Sequence, residues 1–319
     1  MVLIMNKQKL LTLALSLTAV LWIQNALAEV AMNKVLEQEY AGIEAAMCPS
    51  KSKSRSNANP APMDDYNVHK TAPFQVFDNF YYIGMDNISA WALTTSEGII
   101  LFEAMMVRNW QQTIEAGLKT LGLDPNDIKY VVIGHAHNDH WGGASFLQKK
   151  YGAKIIMGDP DWTHMLTWPQ IGVPAPFPAK DRGVLDGDSL TLGDTTVRFV
   201  ATPGHTPGTI SSLIPLKDGN DWHLAAYWGG ASMSFLDPDG LEQYVGSSYK
   251  LQNADPDTDV EFTNHPWADG TLAKRDALQN RKPGDPHPFV TGHAGVKRWL
   301  AQLRSCTREV LSQKRAAQK

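Results

Sequence analysis

Residues 135–140 read HAHNDH, and they follow an apolar run, "YVVIG" (Tyr130–Gly134), with the composition of a buried strand. Burying three imidazoles and a carboxylate together without a shared partner would cost several kcal/mol in unpaired polar groups. A divalent metal ion is a partner that uses all of them, because imidazole nitrogen and carboxylate oxygen are its ordinary ligands. Residues two apart in an extended segment point to the same side. His135 and His137 therefore project together from a strand end and can share one ion. Asp139 and His140 follow where the chain bends toward "WGG", and they face the same cavity at another angle, as ligands of a second ion would.

Two more histidines fit this use. His205 lies in "ATPGHTPG", straight after a strand, in a turn stiffened by Pro203 and Pro207 and tightened by Gly204 and Gly208. His265 lies in "FTNHPW" at another strand end, with Pro266 fixing the exit. Strand-to-loop junctions are where a rigid scaffold presents functional groups. His69, His164, His223, His287 and His293 lack such context and read as structural residues. Trp141 reads as core, with pocket lining as the alternative.

The elements that must position these residues follow from periodicity and turn signals. "FQVFDNFYYIG", "ISAWALTT" and "GIILFEA" are short strands separated by turn clusters, an antiparallel meander. Asn109–Leu123 reads as a helix, Ile128–Gly134 as a buried strand, "ASFLQKKYG" as a helix ending at Gly152 and "AKIIMG" as a strand. "DPDWTHML" opens a helix with Asp159 as cap and Pro160 at its first position. A Pro-rich loop, Thr167–Gly183, carries apolar residues suited to roofing a site. Two strands then flank a Gly-Asp turn in "DSLTLGDTTVRFVATPG". A hairpin about Asp218-Gly219, a strand in "DVEFTNHP" and a long closing helix from "GVKRWL" complete the chain. Residues 29–47 look helical, and a polar linker runs from there to about residue 72. Meander, strand–helix alternation and a second strand series predict two half-domains whose sheets pack face to face with helices outside.

A family resemblance now rests on the quoted residues. "HAHNDH", "PGHTPG" and "NHP" resemble, in order, the HxHxDH signature, third-ligand turn and final ligand of the metallo-β-lactamase superfamily. The likeness covers roughly residues 73–310, and "DNISAWALTTSEGIILFEA" resembles the family's opening strands. Among its branches the chain is most similar to the third subclass of class B β-lactamases, whose sites use only His and Asp. The resemblance implies an α/β fold, an αββα sandwich of two mixed sheets over residues 73–319. It also implies a site for two zinc ions between the halves. One zinc would take His135, His137 and His205, and the other Asp139, His140 and His265. The implied activity is a hydrolase whose zinc-bound hydroxide opens the amide of β-lactam antibiotics, with Asp139 as catalytic residue orienting the nucleophile. The alternatives are a same-fold hydrolase of a lactone, ester or other amide, and a non-catalytic periplasmic binding protein.

Three positions depart from the family pattern. The strand "AAYWGGASM" (Ala225–Met233) lacks the aspartate that bridges two metals in several branches, and it lacks a cysteine too. The third subclass tends to show two serines there, and the pair falls on Gly230 and Ser232. Ser232 is thus the candidate substrate-binding hydroxyl, with a hydroxyl satisfied by backbone as the alternative. Glu103 stands where the family usually places an aspartate that supports a ligand histidine, which requires a small backbone shift.

Composition agrees with an exported enzyme. The chain has 319 residues, 43% hydrophobic and 19% charged, so it is a folded globular protein. Residues 1–28 read as a signal peptide cleaved after Ala28, with Lys7 and Lys9 before a 14-residue apolar run, Leu10–Ile23, too short to span a bilayer. Met5 serves equally as the start. Removing residues 1–28 leaves 27 basic against 33 acidic side chains, a formal balance of −6, which disfavours nucleic acid as a partner and leaves a small molecule. Cys48 and Cys306 form an even pair, read as one disulfide in an oxidising compartment or, alternatively, as two separate thiols.

Overall fold

A computed structural model describes Cys48 and residues 61–318. The expected signal peptide and the helix expected over residues 29–47 lie outside the described residues.

Two sheets pack face to face. The first has seven strands in sequential order: β1 (Phe74–Phe77), β2 (Phe80–Tyr82), β3 (Trp91–Thr95), β4 (Gly98–Phe102), β5 (Ile128–Ile133), β6 (Lys154–Gly158) and β7 (Arg182–Val184). Pairing is antiparallel from β1 to β4 and parallel from β4 to β7. The switch follows from the connections, because a tight turn can join only antiparallel neighbours and a helical crossover serves parallel ones. The second sheet runs β12 (Thr258–Thr263), β11 (Asp221–Trp228), β10 (Ile210–Asp218), β9 (Thr195–Ala201) and β8 (Ser189–Leu192). The β10–β11 register closes on Asp218 opposite Asp221, so Gly219 and Asn220 form the turn.

Aromatic rings fill the space between the sheets. Phe80, Trp91 and Phe102 from the first meet Phe199, Tyr227 and Phe262 from the second. On the outer face of the second sheet, Pro238–Gln252 and the closing helix Gly292–Ala317 bury Tyr244, Trp299 and Leu303. This is the expected αββα sandwich.

Local differences from expectation have physical causes. Asn109–Leu123 is helical only in part: a π-helical turn, Gln111–Glu115, leads into Ala116–Thr120. There the Thr113 hydroxyl donates to the Asn109 carbonyl at 2.7 Å. Asp159 does not cap the helix Asp161–Thr167, because its carboxylate pairs with Lys180 at 2.5 Å. The helix Ala144–Tyr151 ends as expected at Gly152, whose φ of 70° suits glycine. Within the expected linker, Tyr66–His69 is a helical turn capped by Asp65, and Lys70 bridges to Met85. The helix Pro238–Gln252 lies where the sequence predicts no element, because its buried apolar positions, Leu241, Tyr244 and Leu251, are few among polar residues.

Cys48 and Cys306 are bonded, with Cα atoms 4.9 Å apart, and the pair sits in the core against the closing helix. Because the bond closes a loop of over two hundred residues, Cys306→Ser is expected to cost about 2–4 kcal/mol. Urea denaturation of oxidised protein and variant measures it, and equal midpoints would show that the bond adds nothing.

Candidate metal centre

Five strands deliver the site from their carboxyl ends. Glu103 follows β4, His135–His140 follow β5, His205 follows β9, Gly229–Ser232 follow β11, and Asn264 and His265 follow β12. All six expected ligands are buried. His205 Nε2 lies 3.0 Å from His135 Nε2 and 3.2 Å from His137 Nδ1. His135 Nδ1 donates to the Gly229 carbonyl at 2.7 Å and His205 Nδ1 to the Ser232 carbonyl at 2.6 Å. A carbonyl only accepts, so those protons sit on Nδ1 and the facing Nε2 atoms present lone pairs. Lone pairs converging at 3 Å repel unless a cation lies among them.

The second set adjoins the first. His140 Nε2 is 3.1 Å from Asp139 Oδ2, and His265 Nε2 is 3.8 Å from the same oxygen. His265 Nδ1 donates to the Asn87 carbonyl at 2.7 Å, which turns its Nε2 inward. Donor atoms of His135, Asp139 and His140 lie within 4.8 Å of one another, as do those of His135, His137 and His205. Asp139 Oδ1 and His140 Nε2 are buried with no hydrogen-bond partner. Imidazole lone pairs beside a carboxylate with a spare oxygen suit a divalent ion of borderline softness such as zinc.

Electrostatics sort the histidines. Burial lowers the pKa of His137 and of His265 to about 4. Burial, reinforced by neighbouring imidazoles, holds His135 and His205 well below the usual range. These four are neutral at pH 7 and free to act as ligands. His140 is the exception. Burial alone would lower it, but Asp139 and Glu103 outweigh burial and push it up to about 10. Burial likewise opposes ionisation of Asp139, yet His140, with His265 and His137, holds that carboxyl far below its usual range. An ion binding here replaces the His140 proton as the local positive charge.

Glu103 fills the place where an aspartate was expected. Its Oε2 is 3.4 Å from His140 Nδ1, while Oε1 accepts from the Tyr227 hydroxyl at 2.8 Å and the Gly134 amide at 3.2 Å. The backbone is left-handed at this point, with φ of 69° at Glu103 and 60° at Met105. Non-glycine residues there carry strain of order 1–3 kcal/mol, which clusters at functional sites.

Asp161, unremarked in the sequence, clamps two ligand loops. It is fully buried and accepts from the Ala136 amide at 2.9 Å, the Thr206 hydroxyl at 2.5 Å and the Gly208 amide at 2.6 Å. Those partners flank His135, His137 and His205. Its signal in the sequence is the pair of acids around Pro160, of which the inner one, Asp161, makes these contacts while Asp159 pairs with Lys180.

A cleft of about 570 Å3 opens on the donors, lined also by Met63, His69, Asn87, Ile171, Ser232 and Phe235. Ser232 is half-buried there, and its carbonyl holds His205. At Gly230 a Cβ would lie 2.6 Å from the His205 side chain, so a serine cannot stand there without displacing a ligand. Trp141 is core, donating to the Ala136 carbonyl at 2.7 Å. The Pro-rich loop reaches the site through Ile171 and through Trp168, whose ring lies 4.8 Å from His137. His164 adjoins Trp168, His223 pairs with Asp259, His287 donates to the Val76 carbonyl, and His293 meets Thr258. His69, by contrast, faces the cleft.

Two measurements test this centre. Zinc titrated into metal-free protein at pH 7 should release about one proton from His140, read by calorimetry in buffers of differing ionisation enthalpy; no release would contradict the charge arrangement. Asp161→Ala should weaken zinc binding about 10- to 100-fold in chelator competition, with near-wild-type circular dichroism. Unchanged affinity would remove the clamp.

The model of the metallo-beta-lactamase superfamily matches residues 83–218. A hydroxyacylglutathione hydrolase of Brucella anthropi is 36% identical over 102 residues, covering 32% of this chain and 34% of that protein. Another from Rhizobium etli is 29% identical over 153 residues, covering 41% and 55%. The match thus spans from a third to about half the length of these curated relatives. Among solved structures, the subclass B3 metallo-beta-lactamase BJP-1 of Bradyrhizobium japonicum is 29% identical with a TM-score of 0.68, covering 78% of this chain and 97% of that one. A metallo-beta-lactamase of Cronobacter sakazakii is 27% identical with a TM-score of 0.67, covering 77% and 96%. The sandwich, the order of the donor residues and the His/Asp donor set agree with these likenesses: residues 83–218 match the metallo-beta-lactamase superfamily, and the fold is that of the subclass B3 structures.

Proposed function

We propose that the protein is an exported dinuclear zinc hydrolase that opens the amide of β-lactams. The observation that carries this reading is the pair of adjoining donor sets built from His and Asp alone. His135, His137 and His205 would hold one ion, and Asp139, His140 and His265 the other. Zinc bound there supplies a Lewis acid and lowers the pKa of water toward 7. Asp139 keeps one oxygen free of protein partners and so can orient a nucleophile. The Asn87, Gly229 and Ser232 carbonyls hold three imidazoles in register throughout. Ile171 and Phe235, the latter packed against the Trp168 ring, line an apolar approach that suits a hydrophobic substituent.

Export is supported by the leader-like residues 1–28 and by the disulfide. Among the described residues no helix is long and apolar enough to cross a membrane. The likeness to subclass B3 structures favours a β-lactam, as does the Gly229–Gly230 exit of β11 in place of an acidic residue. A second reading, hydrolysis of an ester or thioester, is favoured by Gly230, which removes one hydroxyl of a serine pair, and by the relatives named hydroxyacylglutathione hydrolase.

Penicillin, cephalosporin and carbapenem hydrolysis, assayed beside acyl-glutathione thioesters with and without chelator, decides between them. Chelator-sensitive turnover of at least one β-lactam is expected, and turnover of thioesters alone would select the second reading. Asp139→Asn should keep the fold and lower kcat by at least about 100-fold. Near-normal turnover would exclude Asp139 from the chemistry.

A further inference from the structure

The short loop Met85–Ser89 holds two imidazoles with consecutive residues. The Asn87 carbonyl accepts from His265 Nδ1 at 2.7 Å, and the Asp86 carboxylate accepts from His69 Nδ1, also at 2.7 Å. Both rings line the same cleft. His265 Nε2 faces Asp139, whereas His69 Nε2 is buried with no hydrogen-bond partner. The His69 backbone is fixed as well: its amide donates to the Asp65 carbonyl at 3.1 Å, and its carbonyl accepts from the Asp86 amide at 2.9 Å. An imidazole pinned by a carboxylate at Nδ1, with Nε2 open, is built to carry a proton, because the carboxylate fixes the tautomer and steadies the imidazolium.

We infer that His69, oriented by Asp86, transfers the proton that the leaving group of an acyl substrate requires. The inference rests on reading the cleft as a hydrolytic site. The loop that fixes His69 through Asp86 also fixes His265 through Asn87, which places His69 on the side of the second donor set. In the step, water adds to the acyl carbon and the bond from that carbon to nitrogen, oxygen or sulfur breaks. The bonding pair goes to the leaving atom, which takes the proton from His69 Nε2. The neutral imidazole regains a proton from the attacking water, so the sum is acid plus protonated leaving group. None of the six donors is needed for this transfer.

The test is leaving-group dependence in the zinc-loaded full chain. Two β-lactams are compared, benzylpenicillin, whose amine leaving group is basic, and nitrocefin, whose leaving nitrogen delocalises its charge. Phenyl and 4-nitrophenyl acetate replace them if the wild type acts only on esters. His69→Gln should lower kcat about 100-fold for the basic leaving group, with KM within about twofold, and no more than about threefold for the good one. Imidazole added to the buffer should restore part of the loss, and Asp86→Asn should act in the same direction. Zinc content should match the wild type. An equal loss for both substrates, no loss, or loss of a zinc equivalent would overturn the assignment. A wild type inactive toward all four compounds would instead defeat the hydrolytic reading, and the assignment with it.

Discussion

Five imidazoles and a carboxylate are buried together, and several of their nitrogens point lone pair at lone pair. That arrangement is unfavourable by itself, and it persists because the atoms opposite each ring are fixed. Backbone carbonyls of Gly229, Ser232 and Asn87 take the outward protons, so the inward face of each ring has only one role left. Side-chain acceptors would swing away, whereas these carbonyls belong to backbone anchored close to the two sheets. The rigidity of the sandwich is thus spent on the orientation of imidazoles.

Charge balance is handled in the same economical way. His140 lies between Asp139 and Glu103 and carries a proton in the absence of metal, so the two buried carboxylates never lack a cation. Glu103 is further anchored by Tyr227 from the second sheet, which ties the ligand face of β4 to β11. The left-handed backbone at Glu103 and Met105 is local strain held in place by these contacts. On the other side of the site, the absence of a side chain at Gly230 leaves room for the His205 ring, so ligand geometry there takes precedence over a substrate-binding hydroxyl.

Much of this was legible in the sequence, for identifiable reasons. His135, His137, Asp139 and His140 stand in one run, and His205 and His265 are each flanked by Pro at a strand end. Local spacing therefore announced them. The strands were equally plain, because their apolar alternation is bounded by turn residues. What escaped was non-local. Asp161 looks like an ordinary helix-start acid until the fold brings Ala136, Thr206 and Gly208 to it. His69 looked structural because its partner, Asp86, and its cleft are supplied by a different loop. Gly230 could be aligned but not understood, since its meaning lies in the 2.6 Å approach to His205.

The donors come from both sheets, four from the end of β5 and one each from the ends of β9 and β12. An ion held by them is also a rivet between the two halves of the sandwich. A ligand that binds only the folded form adds about 2.7 kcal/mol at a hundred times its dissociation constant. The lifetime of the folded chain thus becomes a function of metal supply. In a zinc-starved compartment, idle molecules would also be the ones most readily unfolded and cleared.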